Sequence, residues 1–152
     1  MKPEPYKILL ADDDPAIRQI VLRLLTEEGF SVKTAANGIE AVQLTGAIKF
    51  DLILVDLTMP IKNGWEAFEE ISTKNPLLPF IGITGRANQL CPALASGVGA
   101  LLEKPLNFAE LLRTIHQILD EPAKARLARV AGQAPAFQHI HPVTDIPNIK
   151  NQ

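Results

Sequence analysis

The stretch Ile8-Leu9-Leu10-Ala11 is apolar without alternation and then breaks abruptly into Asp12-Asp13-Asp14-Pro15. A strand with no polar face must be covered on both sides, the condition met in a parallel sheet flanked by helices. Asp14 before Pro15 reads as an N-cap with proline at the first helical position. Ile17, Ile20, Val21, Leu24 and Leu25 then recur at helical spacing up to Gly29. The unit repeats. Ser31 to Ala35 predicts a strand, Asn37 caps a helix through Ile39, Val42 and Leu44, and Leu52 to Val55 is a second continuous apolar strand. A loop from Asp56 to Gly64 leads into a third helix. Pro76 and Pro79 punctuate the approach to a strand from Phe80 to Thr84, after which a fourth helix is expected around Ala87 to Ser96, weakened by Pro92. Leu101-Leu102-Glu103 is a last short strand. Asn107-Phe108-Ala109-Glu110 reads as a capping box opening a fifth helix, with Leu111, Leu112, Ile115, Ile118 and Leu119 on its inner stripe. Five strand-helix units imply a parallel sheet with crossover helices on both faces.

A length of 152 residues fits one domain. From Glu121 onward Pro122, Pro135, Pro142 and Pro147 interrupt any regular pattern. The domain is therefore expected over residues 1–120, with 121–152 a flexible, proline-interrupted tail. The net charge of -2 gives no basic excess of the kind a nucleic-acid or anionic membrane surface requires. No apolar run approaches the roughly 20 residues that span a bilayer, so a cytoplasmic protein is expected. Cys91 is the single cysteine; it cannot form an internal disulfide and reads as a small buried apolar residue. His139 and His141 fall short of the usual four-coordinate metal site. Trp65, at a helix start, reads as a packing residue, and Asp51 as a turn residue before an apolar strand.

In an open parallel sheet, ligands bind outside the carboxyl ends of the strands. That rim gathers Asp12 and Asp13 after the first strand, Asp56 after the third, Thr84 after the fourth and Lys104 after the fifth. Three carboxylates so close repel one another unless some are protonated or a cation sits among them. Mg²⁺ answers that need, since it takes oxygen ligands octahedrally from one or two carboxylates, waters and a phosphate oxygen. A carboxylate beside such a metal can attack a phosphoryl group. Lys104 offers a positive charge and Thr84 a hydroxyl, each suited to an oxygen of the transferred group. Asp14 stands before Pro15 and serves as a helix cap rather than a third acidic ligand.

Residues 6 to about 120 resemble the response-regulator receiver family. The resemblance is carried by Ile8 to Pro15, by Asp51 to Pro60, by Asn63-Gly64, by Ile83-Thr84-Gly85 and by Glu103-Lys104-Pro105. It implies a flavodoxin-like (βα)5 fold, doubly wound, with five parallel strands in the order 2-1-3-4-5. It also implies Asp56 as phosphoacceptor, Asp12 and Asp13 as the Mg²⁺-binding acidic pair, and the backbone carbonyl of Thr58 as a further metal ligand. Thr84 would be the switch hydroxyl and Lys104 the phosphate-binding lysine. By the same resemblance the chain would be a stand-alone response regulator. It would take its phosphoryl group from a sensor histidine kinase or a histidine phosphotransfer protein and catalyse only that transfer and its own dephosphorylation. A downstream protein would dock on the face of the fourth helix, fifth strand and fifth helix.

Two departures from the family pattern stand out. Leu101 occupies the place, three before Lys104, where many receivers carry an aromatic side chain that rotates on activation. Arg86 and Thr58 sit where the family tunes its dephosphorylation rate. Other readings are a non-phosphorylated pseudo-receiver acting as a binding scaffold, which retention of all five site residues opposes, and a haloacid-dehalogenase-type phosphatase. The latter places a second aspartate two residues after its nucleophile, where this chain has Thr58. No glycine-rich phosphate loop follows the first strand, which opposes a dinucleotide-binding protein.

Overall fold

Strand and helix alternate along the chain as β1 (Lys7–Ala11), α1 (Pro15–Glu27), β2 (Ser31–Ala35), α2 (Gly38–Ala47), β3 (Leu52–Asp56), α3 (Gly64–Lys74), β4 (Phe80–Thr84), β5 (Ala100–Glu103), α4 (Phe108–Leu119) and β6 (Gln138–Ile140). The computed structural model describes residues 4–57, 59, 63–85, 99–121 and 138–140. The helix expected around Ala87 to Ser96, with Cys91 and Pro92, lies outside the described residues. So α4 is the helix predicted as the fifth.

The helix starts follow their caps. Asp14 accepts from the amides of Ala16 and Ile17 at 2.9 and 3.3 Å, with Pro15 at the first helical position. Asn37 caps α2 by accepting from Glu40. Asn63 and Glu66 form a reciprocal capping box on α3 at 2.9 and 3.1 Å, so the chain leaving the rim after β3 is turned sharply into the helix. Asn107 accepts from the Glu110 amide at 3.1 Å, while the Glu110 carboxylate binds Arg113 at 2.8 Å. Gly29, at φ 97°, follows the end of α1 in a conformation that costs a side-chain-bearing residue strain.

The sheet order is β2-β1-β3-β4-β5-β6 and every pairing is parallel. Its first five strands are the expected flavodoxin-like sheet. The sixth was not expected: Ala100, Leu101 and Leu102 pair with Gln138, His139 and Ile140, inside the proline-interrupted segment. Three residues between Pro135 and Pro142 are too few to show a period in the sequence.

The strands β1, β3, β4 and β5 are buried on both faces, and alternate residues serve opposite cores. Leu9, Ile53, Val55, Phe80 and Leu101 join Phe68 and Ile71 of α3 and Ala41 of α2 on one side. Ile8, Leu10, Leu54, Ile81 and Leu102 join Val21 and Leu25 of α1 and Leu111 and Ile115 of α4 on the other. Phe68 and Phe80 meet edge to face at 4.6 Å. Ile140 packs against the second core, so β6 is anchored by a side chain as well as by the sheet. Among the described residues, no helix is long and apolar enough to cross a membrane.

Candidate functional site

Because all the strands run the same way, their carboxyl ends finish on one rim. Register fixes the heights: Ala11 lies beside Val55, Asp56 beside Ile83 and Thr84 beside Glu103. The residues just past those pairs therefore face a common space. Asp12, Asp13 and Asp56 each bring a carboxylate oxygen within 4.8 Å of the others. Asp12 and Thr84 are fully buried, Asp56 nearly so at 2% exposed, and Asp13 is exposed. Lys104 extends from the end of β5 with its Nζ 3.2 Å from Asp56 Oδ2 and 3.9 Å from Asp12 Oδ2. Its amide donates to the Thr84 carbonyl at 2.8 Å, tying the β5 exit to the β4 exit. The peptide bond from Lys104 to Pro105 is cis.

Asp12 is held through both its backbone and its side chain. Its amide donates to the Ala35 carbonyl at 3.1 Å, and its Oδ1 accepts from the Asp14 amide at 2.9 Å. Its Oδ2 is buried and accepts no hydrogen bond among the described residues. A buried carboxylate oxygen without a donor costs about 1–3 kcal/mol or more. A cation among three carboxylates would satisfy that oxygen, and oxygen donors suit a hard ion such as Mg²⁺.

Burial raises the Asp12 pKa above its ordinary 3.8, with the neighbouring Asp56 and Asp13 adding to the rise, against the opposing Asp14 amide and Lys104. Burial works to lower the Lys104 pKa, but Asp56 first and then Asp12 outweigh it, and the net direction is upward from 10.5. The lysine therefore contributes stability below 10.5 while its carboxylate partners are ionised, and that stability is lost as pH rises through its folded pKa. For Asp12 the pH dependence has the same sign, but here it is the charged form that the fold disfavours. The folded state holds the proton more tightly than the unfolded chain, so the destabilisation is absent well below pH 3.8 and complete once Asp12 has ionised in the fold. Asp12→Asn is accordingly expected to stabilise the metal-free protein at neutral pH by on the order of 1 kcal/mol. The gain should shrink as pH falls through the raised folded pKa of Asp12 and vanish well below 3.8. Thermal melts across pH check it; a metal-free variant less stable than the parent at pH 7 would show that the cluster is not under strain.

The structure thus brings together Asp12, Asp13, Asp56 and Lys104 of the residues singled out in the sequence, with Thr84 at the adjoining end of β4, and Thr58 lies outside the described residues. Arg86 lies outside them too. Asp14 caps α1, Asp51 accepts from the Lys7 amide at 2.8 Å, and Trp65 packs edge-on against Phe68 at 6.3 Å. Two residues bear on the site in ways the sequence reading did not state: Gly64, named there only within the Asn63-Gly64 match, and Arg18, not named at all. A side chain on Gly64 would collide with the backbone of Asp56 and Leu57, so only glycine lets α3 start this close to the Asp56 peptide. Arg18 reaches back from α1 to the carbonyl of Asp12 at 2.7 Å. The sequence signal for Gly64 was its place after Asn63. For Arg18 it was a cation one turn inside the helix that follows the aspartates.

Comparison with known proteins agrees with the geometry. The response regulator receiver domain family matches residues 8–116. The transcriptional regulatory protein GlrR of Escherichia coli (strain K12) is 35% identical over 127 residues, 82% of this chain and 29% of that protein. The sensor protein EvgS of the same strain is 32% identical over 151 residues, 98% of this chain and 12% of its own length. The chain spans less than a third of either relative. The response regulator protein TrrA of Thermotoga maritima, solved in complex with Mg²⁺-BeF, matches with a TM-score of 0.70 at 30% identity, over 74% of this chain and 98% of that one. With the match spanning most of the chain and the acidic rim in place, this chain belongs to the response regulator receiver domain family.

Proposed function

We propose that the chain is a phosphorylation switch of a two-component relay, in which Asp56 accepts the phosphoryl group. The observation that carries this reading is the pairing of a buried carboxylate, Asp56, with Lys104 at 3.2 Å, beside the unsatisfied oxygen of Asp12. Asp56 supplies the nucleophile. The donor is a phosphohistidine on a sensor kinase or phosphotransfer protein: an Asp56 oxygen forms a bond to phosphorus as the phosphorus–nitrogen bond to the imidazole breaks, and the bonding pair leaves with the imidazole. Asp12 and Asp13, with Asp56 itself and the Thr58 carbonyl, would hold Mg²⁺, which when bound neutralises charge on the transferred group. Lys104 keeps its proton and turns from the carboxylate oxygen toward a phosphoryl oxygen, a charge-assisted contact that costs little reorganisation because the ammonium already sits there. The Thr84 hydroxyl, held at the β4 exit, donates to another.

GlrR and EvgS carry such modules within longer proteins of different kinds, a regulator and a sensor. The chemistry proposed is common to both settings. Incubation with a small acyl-phosphate donor and Mg²⁺ is expected to add one phosphoryl group, read by intact mass, and a chelator should abolish the addition. Equal labelling with and without the chelator would sink the metal role, and no labelling under any condition would favour a scaffold that is never phosphorylated.

A further inference from the structure

The backbone of Asp12 is clamped by a residue that plays no part in the chemistry just proposed. Arg18 stands on the second turn of α1, and its guanidinium donates to the Asp12 carbonyl at 2.7 Å. This is a short, charge-assisted bond. With it, three of the four polar positions of Asp12 are held: the amide by Ala35, Oδ1 by the Asp14 amide, and the carbonyl by Arg18. The fourth, Oδ2, accepts no hydrogen bond among the described residues and lies 3.9 Å from Lys104 Nζ. The carbonyl of Asp12 belongs to the planar peptide that joins it to Asp13. Fixing that oxygen therefore fixes the direction from which Asp13 departs, and Asp13 is exposed.

We propose that Arg18 is a positioning residue for the metal ligands Asp12 and Asp13, setting the peptide plane between them before the ion arrives. The inference rests on the reading of that pair as metal ligands. Without the clamp the peptide can rotate and the two carboxylates must be ordered at the moment of binding. Supporting residues of this kind typically set metal affinity by about 10–100-fold. A single donor at the guanidinium position makes the bond, so lysine, which keeps one donor and the charge, should replace it in part. Methionine keeps the apolar stem and removes the donor.

The test is calorimetric titration of Mg²⁺ into the full chain as parent, Arg18→Met and Arg18→Lys, with phosphorylation rate measured against Mg²⁺ concentration. Arg18→Met is expected to bind Mg²⁺ about tenfold more weakly, while its rate at saturating Mg²⁺ returns to within about twofold of the parent. Arg18→Lys should recover most of the affinity. Parental affinity in Arg18→Met, or a rate deficit that no Mg²⁺ concentration repairs, would overturn the proposal, as would a lysine variant no better than methionine. A parent that itself binds no Mg²⁺ would overturn the metal reading first, and this inference with it.

Discussion

Replacing Asp56 by Asn is expected to reduce phosphoryl uptake to below about one-thousandth of the parental level, with the fold retained. The amide keeps the shape of the carboxylate at a site only 2% exposed, so packing is undisturbed. It removes the nucleophile, because an amide oxygen is far less basic than a carboxylate oxygen. The neighbouring aspartates cannot take over easily. Asp12 has one oxygen engaged by the Asp14 amide and is buried, and Asp13 makes no direct ion pair with Lys104 among the described residues. Lys104 retains Asp12 at 3.9 Å and is not stranded. Intact mass after exposure to an acyl-phosphate donor reads the outcome, with circular dichroism to verify the fold. Labelling of Asp56→Asn at the parental rate would move the acceptor to another residue.

Leu101→Ala is expected to lower folding stability by about 2–5 kcal/mol, a large share of the roughly 5–15 kcal/mol that holds a domain folded. Leu101 is fully buried in the core beneath α2 and α3. Its neighbourhood is tight: a side chain on Gly82 would come within 3.3 Å of a Leu101 methyl and 3.0 Å of one on Leu57, so glycine there makes the room these leucines fill. Truncation leaves a cavity with little freedom to collapse. The same change should leave phosphorylation of the folded fraction near the parental level, since Leu101 touches neither the carboxylates nor Lys104 through any polar atom. A leucine has no polar tip with which to mark inward and outward states, so partner binding should not hinge on it. Denaturant titration gives the first quantity. Parental labelling combined with complete loss of partner discrimination would make Leu101 a switch residue.

The sheet was legible because a strand covered on both faces must be apolar throughout, and Ile8 to Ala11 and Leu52 to Val55 satisfy that. The rim was legible for the related reason that polar residues immediately after such runs can only lie at the strand ends. The role of Gly64, and Arg18 altogether, escaped notice because both act on backbone atoms: one makes room for the Asp56 peptide and the other holds the Asp12 carbonyl. Composition and spacing describe side chains and say little about which peptide a side chain will meet. The division of labour between the two oxygens of Asp12 was likewise invisible. The strand β6 was hidden by its brevity, since pairing with β5 depends on a partner almost forty residues earlier in the chain.

That added strand also decides where the polypeptide departs. Helices in this fold run back against the strands, so a chain followed only as far as Leu119 leaves from the end of the molecule remote from Asp56. Because β6 is parallel to β5, its last residue is carried up again: Ile140 lies beside Leu102, a step below Glu103 and Lys104. The end of β6 therefore lies at the level of the rim that holds Asp56. The Asp56 carboxylate and the carboxyl end of β6 thus share one pole of the molecule, opposite the pole at which α4 ends.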